Sequence, residues 1–151
     1  MTRSSSTSVL LLNGPNLNLL GSRQPEIYGT ATLDDHVAKM QSEAKKHGFV
    51  VESFQSNGIS ELIDQIHKAR GQHAAIIINP GAYTHYAWSL SDALAAFDGP
   101  VVEVHLSNPS ARESWRQVSV VAPVAIGTIA GFGGHGYVLA MQAIVKHLAD
   151  A

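Results

Sequence analysis

The sequence predicts a single α/β domain: a doubly wound, five-stranded parallel sheet with helices on both faces. Short, continuous apolar runs alternate along the chain with amphipathic segments at helical spacing, a pattern typical of parallel strands buried by helices. The chain has 151 residues, which is the size of one domain. Its 45% hydrophobic content supplies a substantial core, and 15% charged residues is too few for a typical disordered chain.

The first half of the chain contains two predicted strand–helix units. Residues 9–12 form a short apolar run closed by turn residues, which indicates a buried strand. Thr32 can cap the next helix, which ends at Gly48 and carries an apolar stripe of Leu33, Val37, Met40 and Ala44. Residues 49–54 are the next apolar run. The helix after it ends at Gly71, and its stripe comprises Ile59, Leu62, Ile63, Ile66 and Ala69.

The second half adds three predicted strands and two helices. The strands are expected at residues 74–78, 101–106 and 124–129, with a helix at 88–97. A C-terminal helix is predicted from its apolar face, which comprises Tyr137, Val138, Met141, Ile144, Val145 and Leu148. Because apolar strands alternate with helices, the sheet should be parallel. Residues 1–8 are expected to form a flexible N-terminal tail.

Charge and composition exclude several classes of function. The formal net charge of −2 gives no concentrated positive face for nucleic acid. Cysteine is absent, which excludes disulfides, thiolate metal sites and a cysteine nucleophile. The apolar runs are too short for a membrane span or a signal-peptide core. We therefore expect a cytoplasmic protein with neither a nucleic-acid nor a membrane partner.

Three patterns suggest ligands but fit them poorly. Residues 131–136 match G-x-G-x-x-G, yet the chain ends before the second strand and the acidic residue that dinucleotide binding needs. A flavin is disfavoured because residues 13–20 lack a hydroxyl-rich phosphate cradle. The histidines show no metal-ligand spacing. Five of them lie on or beside predicted helices and are expected to be solvated: His36, His47, His67, His73 and His147. No metal or cofactor is expected.

Polar residues follow four of the predicted strands, at the sheet edge where ligands bind in this fold class. They are residues 13–16, 56–57, 79–81 and 105–108. Neutral hydrogen-bonding groups there would suit a small polyhydroxylated ligand. The same residue types also form ordinary turns, and spacing alone leaves both interpretations open.

The loop after the first strand is unusually long and contains Asn16, Arg23 and Tyr28. Connections of this length in compact domains are often lids or binding loops. Glycines bracket the segment at about residues 20–29, so we expect a lid there. Taken singly, Tyr28 could merely pack the loop and Arg23 could be a solvated charge.

Further candidates lie in the second half of the chain. His85 and Asp92 are seven residues apart, so one helix through both would place them on the same face. His105 ends an apolar strand and faces either the core or the sheet edge. Arg112 and Arg116 are four apart on a predicted short helix and could jointly face a carboxylate or a tyrosinate.

Residues 13–29, NGPNLNLLGSRQPEIYG, closely resemble the opening signature of the type II 3-dehydroquinate dehydratase family. Three further blocks resemble the same family: residues 79–85 (NPGAYTH), residues 103–108 (EVHLSN), and residues 111–113 (ARE) with Arg116. The resemblance runs in order from about Val9 to Leu148. One departure is Gln24, where many members carry Glu; a changed loop contact is expected, without loss of chemistry.

The resemblance implies reversible anti dehydration of 3-dehydroquinate to 3-dehydroshikimate through an enolate, without metal or cofactor. It implies that Tyr28 is the base for the C2 proton and that His105 protonates the departing C1 hydroxyl. Arg23 would favour the tyrosinate. Asn16 would support the enolate oxygen, in the family through an ordered water.

The family also implies a set of binding and supporting residues. Substrate contacts are expected from Asn79, His85, Asp92, Leu106, Ser107 and Arg116, with Leu106 and Ser107 contributing backbone groups. Arg112 is expected beside Tyr28, and Glu103 beside His105. Residues 9–151 would then be a single catalytic domain, in an expected homododecamer. The role, in aromatic biosynthesis or quinate breakdown, stays open.

Two alternatives remain to be tested. One is a non-catalytic, flavodoxin-like module that binds a nucleotide or sugar phosphate at the same sheet edge. The other is imine chemistry on the same substrate, which needs a reactive lysine. All five lysines are expected to face water from helices, which disfavours a Schiff base: Lys39, Lys45, Lys46, Lys68 and Lys146.

Overall fold

The computed structural model describes residues 6–151, which form five strands and five α-helices around one sheet. The strands are β1 (Ser8–Asn13), β2 (Val50–Gln55), β3 (Ala75–Asn79), β4 (Val101–His105) and β5 (Gly127–Ala130). The helices are α1 (Pro25–Tyr28), α2 (Leu33–Lys46), α3 (Ile59–Ala69), α4 (Trp88–Ala95) and α5 (His135–Ala149). All strands are parallel, in the order β2-β1-β3-β4-β5, which confirms the predicted doubly wound sheet.

Two helix pairs bury the two faces of the sheet. α2 and α5 cover one face, where Leu11 of β1 and Ile77 of β3 pack into the core. α3 and α4 cover the other face, against Leu10 and Ile76. Successive strand residues thus face opposite helix layers, which is why the central strands β1 and β3 are apolar along most of their length. None of the helices in residues 6–151 is both long and apolar enough to cross a membrane.

Local signals fix the predicted helix ends. The Thr32 hydroxyl accepts a hydrogen bond from the backbone N–H of Asp35, and the Asp35 carboxylate accepts one from the backbone N–H of Thr32. This reciprocal pair is a capping box at the start of α2. Gly48 and Gly71 follow α2 and α3 with φ of 77° and 73°, in the left-handed region that favours glycine. These helices match the predicted ones.

The first and last strands differ from their predicted bounds. β1 begins at Ser8, which pairs with Val50 of β2 although it was assigned to the tail. Residues 1–5 of that tail lie outside the described residues. β5 begins only at Gly127, because Pro123 lacks an N–H for sheet pairing and lies in a 3-10 turn, Ala122–Val124.

The expectation of solvated helix-associated histidines is wrong for two of the five. His36 is buried on the inner stripe of α2, with its ring stacked 5.9 Å from that of Tyr137. Burial lowers the pKa of His36. His73 is buried beside β1 and β2, with Nδ1 2.6 Å from Oγ of Ser8 and Nε2 3.0 Å from the Glu52 carboxylate.

Candidate active site

A cavity of about 70 Å³ lies at the carboxyl edge of the sheet, beyond the ends of β1, β3 and β4. It is closed on one side by the loop that carries α1. Ten of the twelve residues proposed from sequence line it: Asn16, Arg23, Tyr28, Asn79, His85, His105, Leu106, Ser107, Arg112 and Arg116. The topology therefore gathers into one site residues as far apart in sequence as Asn16 and Arg116.

Tyr28 lies under two guanidinium groups. Nη1 of Arg112 donates to the Tyr28 hydroxyl over 3.0 Å and to Oγ of Ser107 over 3.1 Å. Cζ of Arg23 lies 4.9 Å from the centre of the Tyr28 ring. Burial acts to raise the pKa of Tyr28, but the hydrogen bond and charge of Arg112, together with Arg23, outweigh it and lower that pKa. Tyr28 therefore ionises more easily in this site than an ordinary tyrosine does in water.

The backbone of Gln24 determines the local conformation that positions Tyr28. The Gln24 carbonyl accepts from the N–H groups of Ile27 and Tyr28, so it starts α1. Gln24 itself has φ of 43°, a left-handed conformation that a non-glycine residue adopts with strain. At one end of the loop, Gly21 has φ of 95°, and a Cβ there would lie 2.9 Å from the carbonyl oxygen of Thr30.

His105 is paired with a buried carboxylate. Its Nε2 donates to Oε2 of Glu103 over 2.6 Å. Glu103 is 1% exposed and also accepts from the hydroxyls of Thr84 and Ser119, the latter at 2.9 Å. Burial acts to raise the pKa of Glu103, but hydrogen bonds from His105 and then Thr84 lower it overall. Nδ1 is the His105 nitrogen left to meet a ligand.

The loops after β1 and β3 approach each other closely at the cavity floor. The backbone N–H of Gly14 donates to the Asn79 carbonyl over 2.8 Å, and a Cβ on Gly14 would lie 2.6 Å from the Pro80 carbonyl oxygen. Only glycine fits there. Asn16 has φ of 69°, and its N–H donates to Oδ1 of Asn57 over 3.0 Å. These contacts fix the backbone near Asn16 and Asn79, which both line the cavity.

The predicted common helix through His85 and Asp92 is wrong. His85 ends a 3-10 turn, Gly81–His85, and α4 begins three residues later at Trp88. Nδ1 of His85 is 2.6 Å from the carbonyl oxygen of Val118, which holds the ring in the cavity wall. α4 buries Leu90, Ala93 and Leu94, so Asp92 faces outward and lies outside the cavity.

The predicted helix through Arg112 and Arg116 is also wrong. Arg112 has extended backbone after the 3-10 turn Pro109–Ala111. Arg116 lies in a second 3-10 turn, Ser114–Gln117. Its Nε donates to Glu113 over 2.7 Å and its Cζ lies 4.0 Å from the Trp115 ring centre. Of Arg112 and Arg116, Arg112 is the one that contacts Tyr28.

The sequence interpretation missed polar residues that support the site. Tyr137 was assigned only to the apolar face of α5, but its hydroxyl bonds to both Asn13 and Asn79. A tyrosine inside an apolar stripe is the available signal, since a buried hydroxyl needs a partner. Ser119 and Thr84 were also missed. The signal for them is Glu103 itself, because a carboxylate in an apolar strand requires donors nearby.

The residues that could support other chemistries are placed as follows. Among residues 6–151, no three His, Asp or Glu side chains are grouped so that they could hold a metal ion. The five lysines are exposed, as predicted. Residues 131–134 form the turn between β5 and α5, and residues 135–136 begin α5.

Together, the flavodoxin-like sheet and a cavity lined by a tyrosine of lowered pKa and a carboxylate-paired histidine define a small α/β enzyme. The family described as Dehydroquinase class II matches residues 7–145. A 3-dehydroquinate dehydratase of Ruegeria pomeroyi is 52% identical over 143 residues, which are 95% of this chain and 96% of that relative. The chain therefore belongs to the class II dehydroquinase family, as the sequence resemblance predicted.

Solved structures agree with this assignment. A type II dehydroquinase from Propionibacterium acnes has a TM-score of 0.89 at 41% identity, covering 95% of this chain and 99% of that one. A type II dehydroquinase from Butyrivibrio crossotus has a TM-score of 0.90 at 40% identity, covering 93% of this chain and 99% of that one. The fold is thus shared along nearly the whole length of both structures.

Proposed function

We propose that this chain catalyses the reversible anti dehydration of 3-dehydroquinate to 3-dehydroshikimate through an enolate, with Tyr28 as base and His105 as acid. Family membership and the name of the Ruegeria pomeroyi relative support the substrate. The observation that carries the mechanism is the hydrogen bond from Arg112 to the Tyr28 hydroxyl at 3.0 Å, in a cavity that His105 also lines.

Tyr28 takes the C2 proton of the substrate. An ordinary tyrosine has a pKa of about 10, so only about 0.1% of it is ionised at pH 7. The guanidinium groups of Arg112 and Arg23 offset the effect of burial and lower the pKa of Tyr28, which enlarges the reactive fraction. Removal of the C2 proton leaves an enolate, whose oxygen Asn16 supports from the loop after β1.

His105 then protonates the C1 hydroxyl as it departs. The enolate electrons form the C1–C2 double bond, the C1–O bond breaks, and water leaves with the proton from His105. The buried Glu103 carboxylate fixes the orientation of the His105 ring through its hydrogen bond to Nε2. After each turnover Tyr28 holds one extra proton and His105 lacks one, so Tyr28 releases a proton to solvent and His105 takes one up before the next cycle.

The remaining polar groups of the cavity bind the substrate's carboxylate and hydroxyls. We assign this role to Asn79, His85 and Arg116, with backbone groups of Leu106 and Ser107. Arg116 uses Nε for Glu113, which leaves its other guanidinium N–H groups for the substrate carboxylate. No residue in this set has to change charge during turnover.

Residues 20–29 act as a lid. A cavity of about 70 Å³ is smaller than the pockets of roughly 300 Å³ or more that enclose small organic ligands, so the loop must open to admit substrate. Apart from Leu20, the residues of this loop are exposed or half-buried, which makes opening inexpensive. Closure restores the contact between Tyr28 and Arg112 and so couples substrate capture to base activation.

Asp92 contributes to the site of a neighbouring copy in a homododecamer. The family resemblance makes it a substrate-binding residue, whereas its exposed position on α4 lies outside the cavity of its own chain. Assembly is also supported by large exposed apolar side chains: Tyr86, Trp88, Trp115, Val118, Ile126 and Phe132.

We place the enzyme in the cytoplasm, because its proposed substrate is a small anionic metabolite.

The activity is tested by following enone absorbance after 3-dehydroquinate is added to purified protein. We expect product formation after exhaustive chelation and dialysis, and no lysine adduct when borohydride is added with substrate. Loss of activity on chelation that a divalent ion restores, or a covalent lysine adduct, would contradict the cofactor-free enolate route. Tight binding of a sugar phosphate without turnover would favour a non-catalytic module instead.

A further inference from the structure

A triad of buried, hydrogen-bonded side chains lies beneath the cavity, and the proposed mechanism uses only one of its members. The hydroxyl of Tyr137 on α5 donates to Oδ1 of Asn13 over 2.5 Å and accepts from Nδ2 of Asn79 over 3.0 Å. Tyr137 and Asn13 are fully buried, and Asn79 is 3% exposed. The triad joins α5 to the carboxyl ends of β1 and β3, which are adjacent in the sheet.

The direction of each hydrogen bond in the triad follows from its partners. Oδ1 of Asn79 accepts from the backbone N–H of Gly81 over 3.2 Å, so Nδ2 is the end that meets Tyr137. The single hydroxyl proton of Tyr137 goes to Asn13, so toward Asn79 the hydroxyl can only accept. Burial raises the pKa of Tyr137, which keeps that proton in place.

These hydrogen bonds determine what Asn79 offers to a ligand. A carboxamide nitrogen carries two hydrogens, and the Tyr137 hydroxyl takes one of them. Because Asn79 lines the cavity, the second N–H is the donor left for bound substrate. A flipped amide would set its NH₂ group against the N–H of Gly81, donor against donor, and would lose its donation to Tyr137.

We propose that Tyr137 is a positioning residue: its hydroxyl holds the Asn79 carboxamide so that an N–H donor faces the substrate, and this corner of the site therefore selects an oxygen acceptor. A carboxylate, hydroxyl or carbonyl oxygen satisfies that requirement. The inference rests on the proposed function only for the identity of the substrate. A phenylalanine at this position would keep the stack on His36 but leave Asn79 held by Gly81 alone.

Tyr137→Phe tests the role of the hydroxyl with little change of shape. We expect KM for 3-dehydroquinate to rise about three- to tenfold, with a smaller change in kcat and no movement of the pH profile. In an Asn79→Ala background, Tyr137→Phe should raise KM no further, because the hydroxyl acts through Asn79. An unchanged KM in Tyr137→Phe, or effects that multiply in the double variant, would overturn the proposal.

A control variant separates positioning from loss of stability. Ile144 is also buried on α5 but contacts neither Asn13 nor Asn79 through hydrogen bonds. Ile144→Val should lower Tm and leave KM unchanged. If Ile144→Val raises KM as much as Tyr137→Phe at a similar Tm, the effect is general loosening of α5 and the positioning role is wrong.

A second readout does not depend on turnover. By NMR of isotope-labelled protein, the Asn79 side-chain amide should exchange its hydrogens slowly in the wild type and about tenfold faster in Tyr137→Phe. Equal exchange rates would overturn the positioning role whatever the activity. If amide protection is lost as expected but the wild type does not dehydrate 3-dehydroquinate, the proposed function fails and the positioning role stands.

A further variant covers the case in which Tyr137→Phe does not fold. Asn13→Ala removes the acceptor of the Tyr137 proton, so the hydroxyl can turn that proton toward Asn79 and compete with its NH₂ group. Faster exchange of the Asn79 amide in Asn13→Ala supports the proposal. Full protection of that amide in Asn13→Ala would contradict it.

Discussion

The guanidinium of Arg112 bridges two segments, since Nη1 donates to the Tyr28 hydroxyl over 3.0 Å and to Oγ of Ser107 over 3.1 Å. Tyr28 belongs to the loop after β1, whereas Ser107 and Arg112 belong to the loop after β4. A phenolate accepts from a guanidinium more strongly than a phenol does. Loop closure and ionisation of Tyr28 should therefore favour each other.

Arg112→Ala should move the acid limb of the kcat/KM profile to higher pH by about one unit. The base must be deprotonated, and loss of the neighbouring positive charge raises the pKa of Tyr28, so activity appears only at higher pH. Arg112→Lys keeps the charge and should shift the limb less. The measurement is the pH dependence of initial rates with enone absorbance as readout.

Arg116→Ala is the matched control for that shift. Its guanidinium contacts Glu113 and Trp115 instead of Tyr28, so its loss should raise KM and leave the limb in place. A limb that moves equally in Arg116→Ala and Arg112→Ala would show that general positive charge, not the contact with Tyr28, sets the profile.

His105→Ala should lower kcat by about 10²- to 10⁴-fold with little change in KM, because acid assistance acts mainly in the transition state. Glu103→Gln keeps the side-chain shape but removes the charge, and should lower kcat by about 10- to 100-fold. A sharp rise of KM with kcat retained in His105→Ala would reduce His105 to a binding residue.

Among the sites of residues 6–151, limited trypsin digestion should cleave first after Arg23, and bound substrate or product should protect that bond. The segment around Arg23 is exposed or half-buried, so it opens locally at small cost. Arg70, exposed in the turn after α3, is the internal control: its cleavage should be unaffected by ligand. Equal protection at both sites would indicate global stabilisation without a lid.

The strand–helix order could be predicted because burial in each element follows the backbone period. Leu62 and Ile66 recur at helical spacing on α3, and they are fully buried in the structure. Helical spacing also places His36 on the inward face of α2 with Met40. Because histidine is polar, it was nevertheless expected to be exposed. Its burial depends on a distant residue: a Cβ on Gly134 would lie 1.9 Å from the His36 ring, so the ring fits only beneath glycine.

The convergence of the site residues could not be predicted from spacing. Tyr28 and Arg112 are 84 positions apart, and only the packing of the loops after β1 and β4 brings them together. The error on His85 and Asp92 has a similar origin. The turn after His85 depends on its hydrogen bond to the Val118 carbonyl, a contact 33 positions away that no local pattern contains. Family resemblance supplied the residue roles.

A mixing experiment tests whether Asp92 serves a neighbouring copy. Asp92→Ala should raise KM, and His105→Ala should be nearly inactive. In mixed assemblies, an Asp92→Ala chain keeps His105 and can receive Asp92 from a His105→Ala neighbour, so a fraction of sites should recover the wild-type KM. A mixture that keeps the KM of Asp92→Ala alone would show that Asp92 does not serve the site of a neighbouring copy.

In the proposed mechanism, Tyr28 is the residue whose hydroxyl ionises for catalysis. NMR titration of protein with isotope-labelled tyrosines resolves the four tyrosines of the chain, and Tyr28→Phe assigns the signal. We expect Tyr28 to ionise below the pKa of about 10 that an ordinary tyrosine has, because Arg112 and Arg23 lower the pKa of Tyr28. Arg112→Ala should raise the Tyr28 midpoint together with the acid limb of the kinetic profile. A Tyr28 signal that titrates at or above that ordinary pKa, in a protein that still dehydrates 3-dehydroquinate, would contradict the tyrosinate mechanism.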